Sequence, residues 1–157
     1  MKIPALLIFA VIALAGCGSA TDAITFKAPP SYTAAVSVGP FMQIWRGPQE
    51  SVLILMAIPT KTDLKGLTKE SDVKDAQVLS QSSVRICGSQ PAYYLSVIGE
   101  RDEPGSGTPN AKPEKRQIDM IATYVGAKTY MAMYIRPVGS SVDTAAEAAI
   151  RNICPKT

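Results

Sequence analysis

The sequence contains no histidine, few charged residues and only three cysteines. Histidine is the most common general base and metal ligand, so its absence argues against both kinds of site. Charged residues make up 18% of the chain and the net charge is +3, without the clustered lysines and arginines of a nucleic-acid footprint. No two cysteines form a CxxC pair, which argues against a dithiol redox enzyme. We therefore expect no metal, no cofactor and no nucleic-acid partner.

The chain begins with an apolar segment that is too short to cross a bilayer. Lys2 supplies a positive charge, and the apolar run from Ile3 to Leu14 follows it, interrupted only by Pro4. Spanning the hydrocarbon core takes roughly 20 apolar residues, so this run is typical of a secretory signal peptide. The pattern predicts a cleaved signal peptide over residues 1–16.

The end of this segment, Leu14-Ala15-Gly16-Cys17, resembles the lipobox of bacterial lipoproteins in spacing, residue type and distance from Met1. The resemblance implies acylation of Cys17, cleavage just before it, and a lipidated tether over residues 17–23. It also implies a membrane-anchored, extracytoplasmic protein of the cell envelope. Because Gly18 is not aspartate, the analogy with enteric lipoproteins favours the outer membrane if the cell has one. The alternative is an ordinary cleaved signal peptide followed by an incidental cysteine.

Two cysteines, Cys87 and Cys154, remain once Cys17 is assigned to the lipid. In an exported protein an even remainder favours a disulfide, and two cysteines allow one intramolecular pairing. The bridge would close a long loop and contribute about 4 kcal/mol to the free energy of unfolding. The alternative is two separately buried thiols.

Alternating apolar residues and turn signals predict an antiparallel sheet. Two β-hairpins are expected, one from residues 41–46 and 51–58 and one from residues 115–125 and 129–136. The apolar run Val52–Ile58 is expected to be a central strand covered on both faces. Further strands are expected at residues 24–27, 35–38, 77–87 and 92–100.

Two helical segments complete the predicted elements. One or two turns are expected within residues 63–70, with Leu64 and Leu67 facing inward. A C-terminal helix is expected to open at the capping box Thr144–Glu147. Its apolar stripe comprises Ala146, Ala149, Ile150 and Ile153. The fold class is therefore α+β, an antiparallel sheet with a C-terminal helix and one short helix. We expect one domain over residues 24–157, with a flexible loop at residues 101–114.

Element order and the opening Phe26-Lys27-Ala28-Pro29-Pro30-Ser31-Tyr32 resemble the Mog1/PsbP-like fold, which includes small lipoproteins of the DcrB type. The turn sequence Ile86–Tyr93 is similar to one in such lipoproteins. Known members of the fold bind other proteins, so the resemblance implies a non-enzymatic, protein-binding role. It carries no catalytic motif to this sequence.

Several side chains are functional candidates. Trp45, Tyr93 and Tyr94 are the candidate binding residues, since aromatic side chains dominate binding energetics, although in strands of alternating pattern such residues more often pack on a sheet face. Ser71–Lys74 matches S-x-x-K, but the companion motifs are missing and a capping serine is the simpler interpretation. The acidic cluster Glu100, Asp102 and Glu103 could ligate a hard cation through oxygen, although a solvated strand end is the default. One of the scattered arginines could bind an anion, although a surface ion pair is the default; they are Arg46, Arg85, Arg101 and Arg136.

Three functions remain open on the sequence alone. The leading hypothesis is a membrane-anchored envelope lipoprotein whose domain binds a protein partner or supports an envelope complex. The first alternative is a carrier of an apolar small molecule or lipid, suggested by Val52–Ile58 and by the methionine and tyrosine residues. A hydrolase is the third, and it would have to act without histidine.

Overall fold

The computed structural model describes residues 19–66, 74–101 and 114–157 of the chain. The predicted signal peptide, Cys17, Leu67, the start of the S-x-x-K motif and most of the loop predicted at 101–114 lie outside these residues. Within them, no helix has the length and apolar character needed to cross a membrane.

The described residues form nine strands, one α-helix and a short 3-10 helix at Pro48–Glu50. In chain order the elements are β1 (Ile24–Thr25), β2 (Thr33–Val38), β3 (Met42–Arg46), β4 (Val52–Ile58), β5 (Lys74–Ile86), β6 (Gln90–Arg101), β7 (Glu114–Val125), β8 (Lys128–Pro137), α1 (Thr144–Arg151) and β9 (Cys154–Pro155). The large sheet has seven antiparallel strands in the order β2-β3-β4-β8-β7-β6-β5. Both predicted hairpins are confirmed, as β3–β4 and β7–β8.

The sheet buries apolar side chains on both faces. One face packs against α1 through Leu53, Leu55, Ile121 and Tyr134, and we call it the helix face. The opposite face carries Leu95, Met120, Met131 and the buried Leu64 from the segment after β4. Because successive strand residues alternate between faces, the apolar run of β4 is divided between both cores. Its central position, between β3 and β8, confirms the prediction for this strand.

The C-terminal helix has the predicted apolar stripe but a different first residue. Ala146, Ile150 and Ile153 are fully buried, as the spacing indicated. The N-cap is Asp143, whose Oδ1 accepts hydrogen bonds from the backbone nitrogens of Ala145 at 3.0 Å and Ala146 at 3.3 Å. The prediction that Thr144 caps the helix is therefore wrong by one residue. A carboxylate is an effective cap because it accepts these hydrogen bonds and because its negative charge lies at the positive end of the helix dipole.

Both ends of the described chain are fixed to the domain. Cys87, just after β5, and Cys154, just after α1, form a disulfide, which confirms the predicted pairing. The strand β9 that contains Cys154 pairs with β1 in a separate two-stranded sheet. Within residues 19–23, Ala20 is 2% exposed and belongs to the helix-face core, the half-buried Ala23 packs against that core, and Ser19 and Asp22 are exposed. The packed domain thus includes residues before the predicted start at Ile24.

Candidate binding pocket beside Arg136

A buried acidic side chain marks the polar part of the helix face. Asp119 on β7 is 6% exposed and accepts hydrogen bonds from Ser96 Oγ and from Tyr94 Oη, the latter at 3.1 Å. The register of β6 and β7 places Ser96 directly opposite Asp119. Burial, followed by the nearby Asp119 carboxylate, raises the pKa of the Tyr94 phenol. The phenol therefore stays protonated and remains a donor to the carboxylate.

Arg136 on β8 supplies the buried positive charge next to Asp119. It is 7% exposed, and its Nε lies 4.0 Å from Asp119 Oδ2. Its Nη1 donates to the carbonyl oxygen of Ser140 at 3.1 Å. Nε itself has no hydrogen-bond partner among the described residues. A buried donor without an acceptor costs about 1–3 kcal/mol, so an acceptor at this atom would be stabilising.

Arg136 and Tyr134 form part of the wall of a pocket of about 190 Å³. The pocket lies between the 3-10 helix and the loop that joins β8 to α1. Its other lining residues are Pro48, Gln49, Ser51, Ser140, Ser141, Val142 and Asp143. The pocket therefore combines a buried guanidinium with hydroxyl groups and one carboxylate.

The hydroxyl groups of the pocket are already engaged in hydrogen bonds. Ser51 Oγ donates to the carbonyl oxygen of Pro48 at 2.6 Å, so the Tyr32 phenol, 2.8 Å away, donates to Ser51. Burial is the main reason that the pKa of Tyr32 is raised above its ordinary value. The Tyr134 hydroxyl accepts a hydrogen bond from the backbone nitrogen of Asp143 at 3.0 Å. These hydrogen bonds fix the positions of the hydroxyl groups around the pocket.

The rim of the pocket contains unusual backbone conformations. Gln49 and Glu50 have positive φ angles of 53° and 58°. Such angles cost of order 1–3 kcal/mol in residues other than glycine and persist only where surrounding contacts enforce them. Arg116 provides such contacts, donating to the Glu50 carbonyl oxygen at 3.1 Å and to its carboxylate at 3.2 Å. Ser141 Oγ also donates to Gln49 Oε1 at 3.2 Å, which joins the two sides of the rim.

The structure does not bring the three predicted aromatic binding residues together. Trp45 is buried on the helix face, with its ring centroid 5.0 Å from that of Phe26. Tyr93 lies in the opposite core, where its hydroxyl donates to Gln81. Tyr94 lies on the helix face, on a strand far from Trp45 in the sheet order. They pack in the interior at three places, and a binding role for them stays a prediction.

Arg136 was among four arginines expected to form surface ion pairs, and its burial was not predicted. A usable signal was present in the sequence. Within β8, Arg136 occupies the same alternating positions as Tyr130, Ala132 and Tyr134, so strand parity places it on the helix face. Arginine is usually a surface residue, but the alternation along β8 places Arg136 on the buried helix face.

Glu100 is half-buried in β6, and the other two members of the acidic cluster, Asp102 and Glu103, lie outside the described residues. Among the residues that are described, no three histidine, cysteine, aspartate or glutamate side chains are grouped as a metal site would require.

No protein-family model and no curated protein sequence matches the chain. Solved structures do match, and they define the fold as Mog1/PsbP-like, as the sequence indicated.

One match is the Ran-binding protein Mog1p from Saccharomyces cerevisiae, with a TM-score of 0.51, 14% identity, and coverage of 83% of this chain and 79% of that chain. A protein of unknown function from Pseudomonas aeruginosa, PA94, has a TM-score of 0.56 and 10% identity over 86% of this chain and 99% of that one. A protein from Bacteroides thetaiotaomicron matches with a TM-score of 0.56 and 15% identity over 85% of this chain. The present chain spans only 45% of the length of that Bacteroides protein. At these identities the likeness shows the fold alone.

Proposed function

We propose that the chain is a lipid-anchored protein of the bacterial cell envelope whose α+β domain binds a protein partner without catalysing a reaction. Support for the anchor comes from Leu14-Ala15-Gly16-Cys17, which ends three positions before the buried Ala20 of the domain. The disulfide between Cys87 and Cys154 is typical of an oxidising, extracytoplasmic compartment.

The observation that carries the binding role is the buried Arg136 at the pocket. Its Nε lacks a hydrogen-bond acceptor among the described residues, and the adjoining pocket has a volume of about 190 Å³. A carbonyl or carboxylate oxygen of a partner side chain in that pocket would meet the part of Arg136 that lines it, and charge-assisted hydrogen bonds of this kind are strong. One protein of this fold is described as a Ran-binding protein, so the fold has a precedent for protein binding.

The hydroxyl groups at the pocket support a binding role over a catalytic one. A serine nucleophile needs a neighbouring base that takes its proton. Ser51 instead donates to a backbone carbonyl and accepts from the Tyr32 phenol, whose pKa is raised. The proton of Ser51 is thus directed at a backbone carbonyl oxygen, which cannot act as the base that a serine nucleophile needs.

The anchor is tested by intact-mass analysis of protein extracted from membranes of its native host. We expect a chain that begins at Cys17 and carries the added mass of acyl groups. A matched Cys17→Ser variant should remain unacylated and leave the membrane fraction. Recovery of the unmodified full-length chain from the wild-type strain would contradict the anchoring.

The partner is tested by photo-crosslinking in native membranes. A photoreactive amino acid replaces Ser141, an exposed residue at the pocket rim, and the control position is the exposed Ser82 on edge strand β5. We expect a protein adduct specific to position 141, and we expect it to weaken when Gln49→Ala alters the opposite rim. Identical adducts at both positions, or none at position 141, would contradict a partner at this pocket.

A second candidate function, transport of a small apolar molecule, is favoured by a surface groove. The groove has a volume of about 720 Å³ and lies between residues 21–30 and α1. That volume falls within the range of about 300–1,000 Å³ that is usual for ligand sites. Native mass spectrometry of the chain should then show a bound small molecule that Ala148→Phe, within the groove, displaces and Ser82→Phe does not. A ligand-free mass for the wild-type protein would contradict this function.

A further inference from the structure

The packed N-terminal residues and the β2–β3 turn lie at one end of the sheet. Strand β1 pairs with β9, and Cys154 of β9 is bonded to Cys87 in the turn between β5 and β6. Antiparallel pairing puts that turn at the same end as the β7–β8 turn, as the hydrogen bond from Gln90 Nε2 to the carbonyl oxygen of Tyr124 confirms.

The β2–β3 turn reaches the same end through β4. The last residue of β4, Ile58, pairs with Thr129 at the start of β8, and Ala57 N donates to the Phe41 carbonyl oxygen at 2.7 Å. We call this side of the molecule the anchor end. It comprises residues 19–23, the β2–β3 turn at 38–41, residues 59–62, the β7–β8 turn at 126–128, and Lys156.

The proposed lipid would hold the anchor end very close to the bilayer. Ala20 is 2% exposed and belongs to the helix-face core, whereas Ser19 is exposed and its backbone nitrogen donates to the Asp22 carboxylate at 2.9 Å. Only Gly18 and Ser19 separate the buried Ala20 from Cys17. Three fully extended residues span at most about 11 Å, so the lipid would keep the domain close to the headgroups.

The anchor end exposes large apolar side chains. Phe41 is 54% exposed at the turn, and Val38 beside it is 48% exposed. Val36, also exposed, continues this apolar surface along β2 on the sheet face opposite α1, because it pairs with Ile44. Contiguous exposed apolar side chains mark interaction surfaces, and aromatic side chains next to a lipid anchor insert readily at the headgroup boundary.

Three lysines lie at the same end of the molecule, together with the exposed Asp22. Lys61, Lys128 and Lys156 are exposed, and Lys61 Nζ lies 5.6 Å from the centroid of the Tyr124 ring. Lys156 N donates to the carbonyl oxygen of Ala23, which places this lysine beside the N-terminal residues. Lysines near a membrane surface are attracted to anionic lipids, and an acyl chain combined with basic residues binds more stably than either signal alone.

We infer that the anchor end is a membrane-docking surface, with Phe41 and Val38 in the interfacial layer and the three lysines on anionic phospholipid headgroups. This inference rests on the proposed acylation of Cys17. Docking would fix the orientation of the domain, with the pocket beside Arg136 at the opposite end of β8 facing away from the bilayer.

The test compares two labelled positions in the acylated full-length protein. Phe41→Cys introduces a thiol at the anchor end, and Val142→Cys introduces one at an exposed valine, 45% exposed, at the pocket end. Each is labelled with an environment-sensitive fluorophore, since Cys87 and Cys154 are bonded to one another. The protein is placed in vesicles of phosphatidylcholine and phosphatidylglycerol that contain brominated lipid, and quenching of each label is measured.

We expect several-fold stronger quenching at position 41 than at position 142. The difference should decrease in vesicles of phosphatidylcholine alone, and also when Lys61→Gln, Lys128→Gln and Lys156→Gln are combined. Equal, weak quenching at both positions would overturn docking if intact mass confirms the acyl groups. If the thiol at position 41 is shielded from labelling in native membranes but not in vesicles, the surface would be assigned to a protein partner instead. Absence of acyl mass contradicts the anchor itself, a result distinct from failure of docking.

Discussion

Asp119 and Arg136 form an ion pair in which each residue is more than nine-tenths buried. They lie on the neighbouring strands β7 and β8, with Arg136 Nε 4.0 Å from Asp119 Oδ2. At this distance the carboxylate balances the charge without accepting from Nε, while Ser96 and Tyr94 donate to its other oxygen. The carboxylate therefore neutralises the buried guanidinium, while Nε has no hydrogen-bond partner among the described residues.

Removing one member of this pair should be far more costly than removing an exposed charge. Asp119→Asn leaves the Arg136 guanidinium buried without a counter-charge, and we expect the free energy of unfolding to fall by about 3–5 kcal/mol. The control is Glu147→Gln, which breaks the half-exposed pair with Arg151 and should cost less than about 1 kcal/mol. Urea unfolding measures both. Equal losses for the two variants would show that Asp119 does not compensate a buried charge.

The helix cap gives a prediction that separates two adjacent residues. Asp143→Ala removes the acceptor for the backbone nitrogens of Ala145 and Ala146, and should lower the free energy of unfolding by about 1 kcal/mol. Thr144→Ala is the matched control, because Thr144 is the exposed first residue of the helix and should be nearly neutral. Thermal unfolding of both variants tests the assignment. A larger fall in the free energy of unfolding for Thr144→Ala would instead support Thr144 as the N-cap, as the capping box in the sequence suggested.

The sequence was most informative where burial repeats regularly along the chain. Strands such as β6, expected at residues 92–100, alternate between the two cores, and Tyr93, Leu95 and Val97 share a face. The β1–β9 pairing was not predicted, because strands of two residues are too short to show a period and their partners are far apart in sequence. A strand was expected at residues 24–27, but only tertiary contacts define its pairing with β9.

The pocket was less predictable than the fold because its parts come from distant segments. Arg136 on β8, Ser51 before β4 and Tyr32 before β2 meet only after the sheet has formed. No local motif marks them, and an isolated arginine is usually on the surface. The Asp143 cap could have been predicted, since aspartate is as strong an N-cap as serine and stands directly before the helix.

The disulfide should make a large contribution to stability. It links residues 67 positions apart, and the chain-entropy estimate for a loop of this size is about 4 kcal/mol. Cys87→Ser combined with Cys154→Ser should therefore shift the urea midpoint strongly downward. Cys17→Ser is the control and should leave the unfolding of the domain unchanged. Two free thiols in denatured, unreduced protein from the native host would contradict the bridge.

Tyr32 should make the stability of the domain depend on pH in the alkaline range. Burial raises the pKa of its phenol above the ordinary 10.0 that applies in the unfolded chain. Below pH 10 the phenol is protonated in both states, so its full contribution is present. Above that pH the unfolded chain releases the proton while the folded protein retains it. The free energy of unfolding then falls by up to about 1.4 kcal/mol per pH unit for this group.

Tyr32→Phe should reduce this alkaline decline, although loss of the hydrogen bond to Ser51 lowers stability at every pH by about 1 kcal/mol. Ser51→Ala is the matched control, because it removes the same hydrogen bond and keeps the ionisable phenol. It should therefore retain the wild-type steepness above pH 10. Urea unfolding at several pH values between 8 and 11 measures the slopes. If the free energy of unfolding falls equally steeply with pH for Tyr32→Phe and the wild-type protein, the phenol ionises as readily in the folded protein as in the unfolded chain. The burial of Tyr32 beside Ser51 argues against that result.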